Sequence, residues 1–433
     1  MKKGPDLVIR GGTVVDASGT RLADVLVSQG SVTAMGESLD APMGATVLDA
    51  GGCFVAPGLV DLHAHLRQPG REEAEPVETG ARAAALGGYT AIVAMPNTEP
   101  PLDCAGAVRE VLDLGASAPC EVAVAGAITK GRQGHELAPM AEMAALGVRI
   151  FTDDGTGVQD ARLMRRALEY AGGLGVTLAQ HCEDTSLAAG GHMHEGEWSS
   201  RLGLAGVPAE AEELMVMRDI ALARLTAHLG SRVHFLHLST AGSVAMVRAA
   251  RAGGLAITAE VAPHHLILTH ECVAGYDSVF KVSPPLRTAH DVGALREALA
   301  DGTIDAIATD HAPHASQFKE QPFDQAPPGM LGLETALALC LTELDMPLPQ
   351  LLGALSWRPA QIAGLEHAHG GPIAEGRPAN LCVIDPAATW VVEPSALASL
   401  SRNTPYAGRK LTGRVRHTLL RGEPVVIDAV AQR

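Results

Sequence analysis

No C-x-x-C spacing occurs anywhere in this 433-residue chain, and its seven cysteines, at positions 53, 104, 120, 182, 272, 340 and 382, lie scattered. An odd, dispersed set in a large chain fits reduced thiols better than a disulfide framework. No run approaches the ~20 uncharged apolar residues of a membrane span. The opening "MKKGPDLVIRGGTVV" has two lysines but no apolar stretch long enough for a signal peptide. These absences lead us to expect a cytoplasmic protein. Basic residues are also short: 33 Lys and Arg stand against 49 Asp and Glu, a net charge of −16, with no basic cluster. That disfavours a nucleic-acid partner, whose phosphates need a cationic surface. A small anionic substrate stays open, since one or two local cations suffice for it. Neither a G-x-S-x-G elbow nor a phosphate-cradling loop is present.

What is there suits a folded chain with many tight connections: 47% hydrophobic, 19% charged, 47 glycines and 27 prolines. The first fifty residues read as short strands. "DLVIRGGTVVD" and "DVLVSQGSVTAMG" are broken by Gly-Gly and by Gln29-Gly30-Ser31, which is hairpin grammar. The same texture returns in "ANLCVIDP", "TWVVEP" and "GRVRHTLLRGEPVVID". Two β-rich flanks around a different middle predict one small β-sandwich built from both chain termini, residues 1–57 and 371–433.

The middle, residues 58–370, has another rhythm. Eight apolar, mostly β-branched segments occur in order: "LVDLHAH", "TAIVAMPN", "EVAVAGAI", "GVRIFTDD", "VTLAQHCED", "RVHFLHLST", "AITAEVAPHH" and "IDAIATDH". Stretches with apolar residues at 3–4 spacing separate them, several ending on glycine as helix C-termini prefer. This alternation predicts an α/β fold of the (β/α)8, TIM-barrel type. A doubly wound open sheet fits less well, because no G-x-G-x-x-G follows the first strand.

Barrel enzymes build their sites at the C-terminal ends of the strands. Here those ends carry His63 and His65, Asn97, Asp153 and Asp154, His181, His237, and Asp310 with His311. In a strand, positions i and i+2 face one side, so His63 and His65 would aim at one point. Imidazoles and carboxylates are ligands for zinc and similar cations. Four histidines and two aspartates exceed one open tetrahedral site and suit two ions bridged by a carboxylate and a water or hydroxide. By strand parity His234 should face outward from His237. The "PHH" at 263–265 is expected to pack, His192 and His194 to be solvated, and Cys182 to be a buried thiol.

The segments "GLVDLHAHLRQPG", "MPNT", "FTDDG", "AQHCED", "HLST", "PPLR", "TDHAPH" and "PPGMLGLETAL" together resemble the dihydroorotases of bacterial class I, within the amidohydrolase superfamily. The resemblance spans nearly the whole chain, including "NTPYAGRKLTGRVRHTLLRG". It implies a zinc enzyme of pyrimidine synthesis that reversibly closes N-carbamoyl-L-aspartate to dihydroorotate. Carried over, His63, His65 and Asp310 would hold one zinc, and His181 and His237 a second. Asp154 and a hydroxide would bridge them, with Asp153 as the alternative bridge, where many relatives use a carbamylated lysine. Asp310 would be the acid and base. Arg67, Asn97 and His314 would bind the substrate carboxylate, and Pro328 and Gly329 the ring. The loop 315–329, without regular pattern, is expected to be mobile and to cover the substrate. Partners implied are the small-molecule substrate, with a homodimer and aspartate transcarbamoylase left open.

One departure stands out. The family's "NPPLR" reads "SPPLR" here, placing Ser283 where an asparagine contacts substrate. Hydantoinase and dihydropyrimidinase relatives tend to show that serine, which keeps another cyclic amidohydrolase in view. A non-catalytic scaffold for a pyrimidine enzyme is disfavoured, because every expected ligand is present.

Overall fold

The computed structural model describes residues 6–433. Eight short strands form its centre: Leu59–Ala64, Tyr89–Ala94, Glu121–Val124, Ile150–Phe151, Thr177–Gln180, Arg232–Phe235, Ile257–Val261 and Ala306–Ile307. The first three pair in parallel as one sheet, and the last five as another. Two isolated parallel bridges, Gly126 with Phe151 and Ala64 with His311, join the sheets into a closed ring. The (β/α)8 barrel expected from the alternation is the fold.

The ring is filled, not hollow. Leu62, Val93, Ala125, Ile150, Ala179, Leu236 and Ala306 pack inside it. Outward residues such as Ile92, Phe151, Leu178 and Phe235 meet the helices. The helix Ala161–Leu174 shows how local sequence supports this. Asp160 caps it by accepting from the Leu163 amide, and Gly175 ends it at φ 69°, a conformation that costs glycine little. Met164, Ala167, Leu168 and Ala171, at 3–4 spacing, are its buried face. Each large apolar side chain so buried contributes about 2–3 kcal/mol.

Strands from both ends of the chain make two further sheets. Leu7–Arg10, Asp24–Ser28, Ser31–Gly36 and Thr46–Asp49 form one. Thr13–Asp16, Gly19–Leu22 and Phe54–Pro57 join the C-terminal strands Leu381–Val391, Lys410–Leu420, Glu423–Ile427 and Val430–Ala431 in the other. The ends meet where Phe54–Pro57 runs antiparallel to Leu381–Val391. Leu7, Val25 and Leu48 share a core with Val55, Val383 and Leu419 across the two sheets.

Of the two hairpins expected in the first fifty residues, the second forms and the first does not. Val27 and Val32 pair around Gln29 and Gly30, both at positive φ, as a two-residue turn requires. Leu7–Arg10 and Thr13–Asp16, by contrast, belong to different sheets. Gly11-Gly12 carries the chain across the sandwich instead of folding it back. A Cβ on Gly12 would lie 2.5 Å from Val55 Cγ2, so this close crossing admits no side chain.

The base of the barrel is tied to the C-terminal sheet through Glu121. Its Oε2 accepts from His369 Nε2 at 3.1 Å and from Arg421 Nη2 at 2.7 Å. Chiefly through His369, and against burial, the carboxyl is held down to about 2. Its folded value lies below the unfolded one, so the stabilisation is complete above about pH 4.5 and disappears as pH falls through 2. Glu121→Gln should lower the melting temperature at pH 7 by roughly 1–3 °C. The gap to wild type should narrow in scanning calorimetry below pH 4; a constant gap would show that the charge is not what matters.

Candidate metal centre

At the C-terminal rim, His63 Nε2 lies 3.5 Å from Asp154 Oδ1 and 3.6 Å from Asp310 Oδ1. His65 Nε2 lies 3.5 Å from Asp154 Oδ2 and 3.3 Å from Asp310 Oδ1. The pair therefore converges on two carboxylates. From the opposite side, His181 Nδ1 is 3.4 Å and His237 Nε2 3.5 Å from Asp154 Oδ1, and the two nitrogens are 3.1 Å apart. Asp154 thus stands between a trio of side chains and a pair.

These spacings suit a cation. Two ligands bonded at 2.0–2.1 Å to one tetrahedral ion lie about 3.3 Å apart. His63, Asp154 and His237 form one group within ligand reach, and His63, His65 and Asp310 another. His63 Nε2 and Asp154 Oδ1 are buried and have no hydrogen-bond partner among the described residues. Buried polar atoms without partners are costly, and a bound ion would satisfy them. Burial alone would raise the Asp154 carboxyl, but the charge on His63 and the hydrogen bonds of His181 and His237 hold it well below the usual carboxylate range. It is an anion enclosed by imidazoles.

Asp153 has a different task. Its carboxylate accepts from the Ile128 and Thr129 amides at 2.8 and 3.1 Å and from the Thr129 hydroxyl, fixing the loop after the third strand. Only Asp154 of the two faces the imidazoles.

A cavity of about 440 Å³ opens above these groups. His65, Asp154, His181, His237, Asp310, Arg67, Asn97, Ser283, His314, Pro328 and Gly329 all line it; His63 is fully buried beneath. Arg67 donates from Nε to the Pro313 carbonyl at 3.1 Å and faces His314 Nε2 at 3.4 Å. Burial lowers it to about 10, so it remains cationic at neutral pH. His314 is brought down to about 3 by burial and then by Arg67, which leaves it neutral. Asn97 Oδ1 accepts from His65 Nδ1 at 2.9 Å, so the asparagine orients a ring as well as lining the cavity. Ser283 donates to Glu183 Oε2 at 3.2 Å. The Gly329 amide donates to the Lys281 carbonyl and the Pro328 carbonyl accepts from His314, so both already have partners within the chain.

Several expectations need correction. His234 faces inward: it is fully buried, with Nε2 2.9 Å from Glu260 Oε2. Parity failed because the strand ends at Phe235, and His237 beyond it has φ 26°, which breaks the alternation. His194 is not solvated; Arg287 donates to its Nδ1 at 3.1 Å, and burial followed by Arg287 lowers it to about 4. Residues 315–329 are not patternless. Ser316–Lys319 is a short helix, and Lys319 Nζ donates to the Pro327 and Gly329 carbonyls. Lys281 Nζ holds the Phe323 and Asp324 carbonyls from below. In "PHH", His265 packs by donating to the Pro284 carbonyl, whereas His264 Nε2 lies 3.9 Å from Asp310 Oδ2. Cys182 is buried as expected.

Sequence reasoning missed Asp61 and Glu260, both fully buried. Asp61 accepts from the Thr309 amide and hydroxyl, pinning the turn that presents Asp310. Each is a carboxylate inside an apolar strand, "LVDLHAH" and "AITAEVA", and that misfit was the available signal.

A closed barrel with four imidazoles and two carboxylates gathered on one rim is the frame of a metal-dependent hydrolase. Family models described as Dihydro-orotase-like and as Amidohydrolase family match residues 52–243 and 192–426. A dihydroorotase of Pelotomaculum thermopropionicum is 49% identical over 98% of this chain and 99% of its own length. One of Streptomyces coelicolor is 51% identical over 97% and 98%. Among solved structures, the L-hydantoinase (dihydropyrimidinase) of Arthrobacter aurescens superposes with TM-score 0.89 at 26% identity, covering 99% of this chain and 98% of that one. The chain belongs to the dihydroorotase family of amidohydrolases. The family and the ligand groups together imply a metal cofactor and a small-molecule substrate. No helix among the described residues is long and apolar enough to cross a membrane.

Proposed function

We propose that this chain catalyses the reversible cyclisation of N-carbamoyl-L-aspartate to dihydroorotate and water, using two zinc ions. His63, His65 and Asp310 would hold one ion, His181 and His237 the other, and Asp154 would reach both. The observation that carries this reading is the position of Asp154, within 3.5 Å of all four imidazoles. Bound there, the metal supplies a water of lowered pKa and polarises the carbonyl under attack. Residues 58–370 would be the catalytic unit and the two-ended β-sandwich its brace.

The side chains divide the remaining work. Asp310 Oδ1 faces His63 and His65, which leaves Oδ2 turned away from that pair to carry a proton. In ring closure Oδ2 takes one proton of the ureido nitrogen as the N–C bond forms and passes it to the departing carboxylate oxygen, and a second proton from solvent completes the water as the C–O bond breaks. In hydrolysis the same atom returns the proton to the ring nitrogen as the C–N bond breaks. Arg67 holds the substrate carboxylate through its planar fork, which fixes the distance from nitrogen to carbonyl. Neutral His314, its Nε2 donating to the Pro328 carbonyl, sits beside Arg67 without repelling it.

Ser283 supports a second reading, hydrolysis of hydantoins or dihydropyrimidines. A serine reaches less far than an asparagine, and its hydroxyl is already engaged by Glu183. Against it stands the identity of about half to dihydroorotases, compared with 26% to the hydantoinase. Purified chain should cyclise carbamoyl aspartate faster than it opens hydantoin or dihydrouracil. Activity should vanish on chelation and return with zinc. A preference for the neutral rings would replace this substrate, and turnover unaffected by chelation would remove the metal.

A further inference from the structure

We propose that Glu260 is a positioning residue for the metal ligand His63, and that His234 and Thr258 hold it in that role. The proposal rests on the metal reading above and extends it inward, into the body of the barrel.

The four side chains form one continuous line. Thr258 Oγ1 lies 2.8 Å from His234 Nδ1. His234 Nε2 lies 2.9 Å from Glu260 Oε2, and Glu260 Oε1 lies 3.0 Å from His63 Nδ1. His63, His234 and Glu260 are all fully buried. The direction of both hydrogen bonds to Glu260 follows from donor chemistry. A carboxylate only accepts, so His63 must donate from Nδ1 and His234 from Nε2. Nδ1 of His234 and the Thr258 hydroxyl share the remaining hydrogen bond. Each ring is thereby held in one orientation by the carboxylate between them. The atom left over at the end of the line is His63 Nε2, buried and with no partner of its own.

A packing role alone does not account for this. The barrel interior around it is Leu62, Val93, Ala179, Leu236 and Ala306. Burying an ionised carboxylate there costs several kcal/mol that an apolar residue of similar volume would not. The line also distinguishes His63 from the other ligands. The outer nitrogen of His65 meets the neutral amide of Asn97, and those of His181 and His237 have no partner among the described residues. His63 alone of the four has a carboxylate behind it. Such a partner fixes the ring and makes its ligating nitrogen more basic, and its loss typically lowers metal affinity 10–100-fold.

Glu260→Gln isolates the charge. The amide oxygen still accepts from His63, and the amide nitrogen donates to His234 after that ring changes tautomer. The measurement is zinc affinity of the full chain by competition with a chromophoric chelator, paired with the visible spectrum of the cobalt(II)-substituted protein. Glu260→Gln should bind zinc about 10–100-fold more weakly and shift the cobalt bands. Thr258→Val, which removes only the far end of the line, should weaken binding less and in the same direction. A Glu260→Gln protein with wild-type affinity and an unchanged spectrum would overturn the proposal. Should that variant fail to fold, Thr258→Val decides: reduced affinity supports the line, and wild-type affinity refutes it. Wild-type chain that takes up no stoichiometric metal would be a different failure, removing the metal centre itself.

Discussion

Asp310→Ala should lower the rate of carbamoyl aspartate cyclisation by about 10³-fold or more while the barrel stays folded. Asp310 follows the last barrel strand at φ 47°, a region that non-glycine residues occupy at a cost of about 1–3 kcal/mol. Asp61, through the Thr309 amide and hydroxyl, holds that turn. Burial opposes ionisation of Asp310, yet the His65 hydrogen bond and the charge of His63 keep its carboxyl well below the ordinary value. It is therefore an anion at neutral pH, ready to accept a proton in the biosynthetic direction. Alanine removes both the ligand oxygen and the proton carrier. Steady-state rates in both directions, with zinc content measured on the same sample, separate these losses. A variant that keeps its zinc but not its rate isolates the proton transfer; near-normal rates would remove Asp310 from the mechanism.

Arg67→Met should reduce kcat/KM for carbamoyl aspartate by about 10²–10³-fold, and affect any slow turnover of a neutral hydantoin by less than about tenfold. Two charge-assisted hydrogen bonds at roughly 1.5–3 kcal/mol each, partly offset by desolvation, give that range. The guanidinium is positioned for the task. Pro313 fixes Nε and His314 faces Nη2, and neither contact occupies Nη1. Methionine preserves much of the length and the apolar stem, so the barrel rim should hold its shape. Equal losses on charged and neutral substrates would mean that Arg67 supports the rim and does not recognise a carboxylate.

Much of this was legible because a barrel reads as a repeated linear pattern. The eight apolar segments mark the strands, and the polar residues ending them mark the rim; His63, His65, His181 and His237 were found in that way. Legibility ended where the backbone departs from regular geometry. Counting parity back from His237 misplaced His234, because His237 lies past the strand at positive φ. Gly11-Gly12 resembled a turn, yet pairing with Asp24–Ser28 and Phe54–Pro57 separates the two strands it connects. Such pairings join distant segments, and no local signal encodes them. Glu260 and Lys281 escaped for a related reason. Their partners, His63 on one side and the carbonyls of 323 and 324 on the other, lie far away in sequence. For Glu260, a lone charge in an apolar strand was the trace left.

The most direct test is diffraction from zinc-loaded crystals at the zinc absorption edge. The account predicts two anomalous peaks about 3.5–4 Å apart, one among His63, His65 and Asp310 and one against His181 and His237, with Asp154 touching both. A rim with no peak, its imidazoles turned away from Asp154, would contradict it.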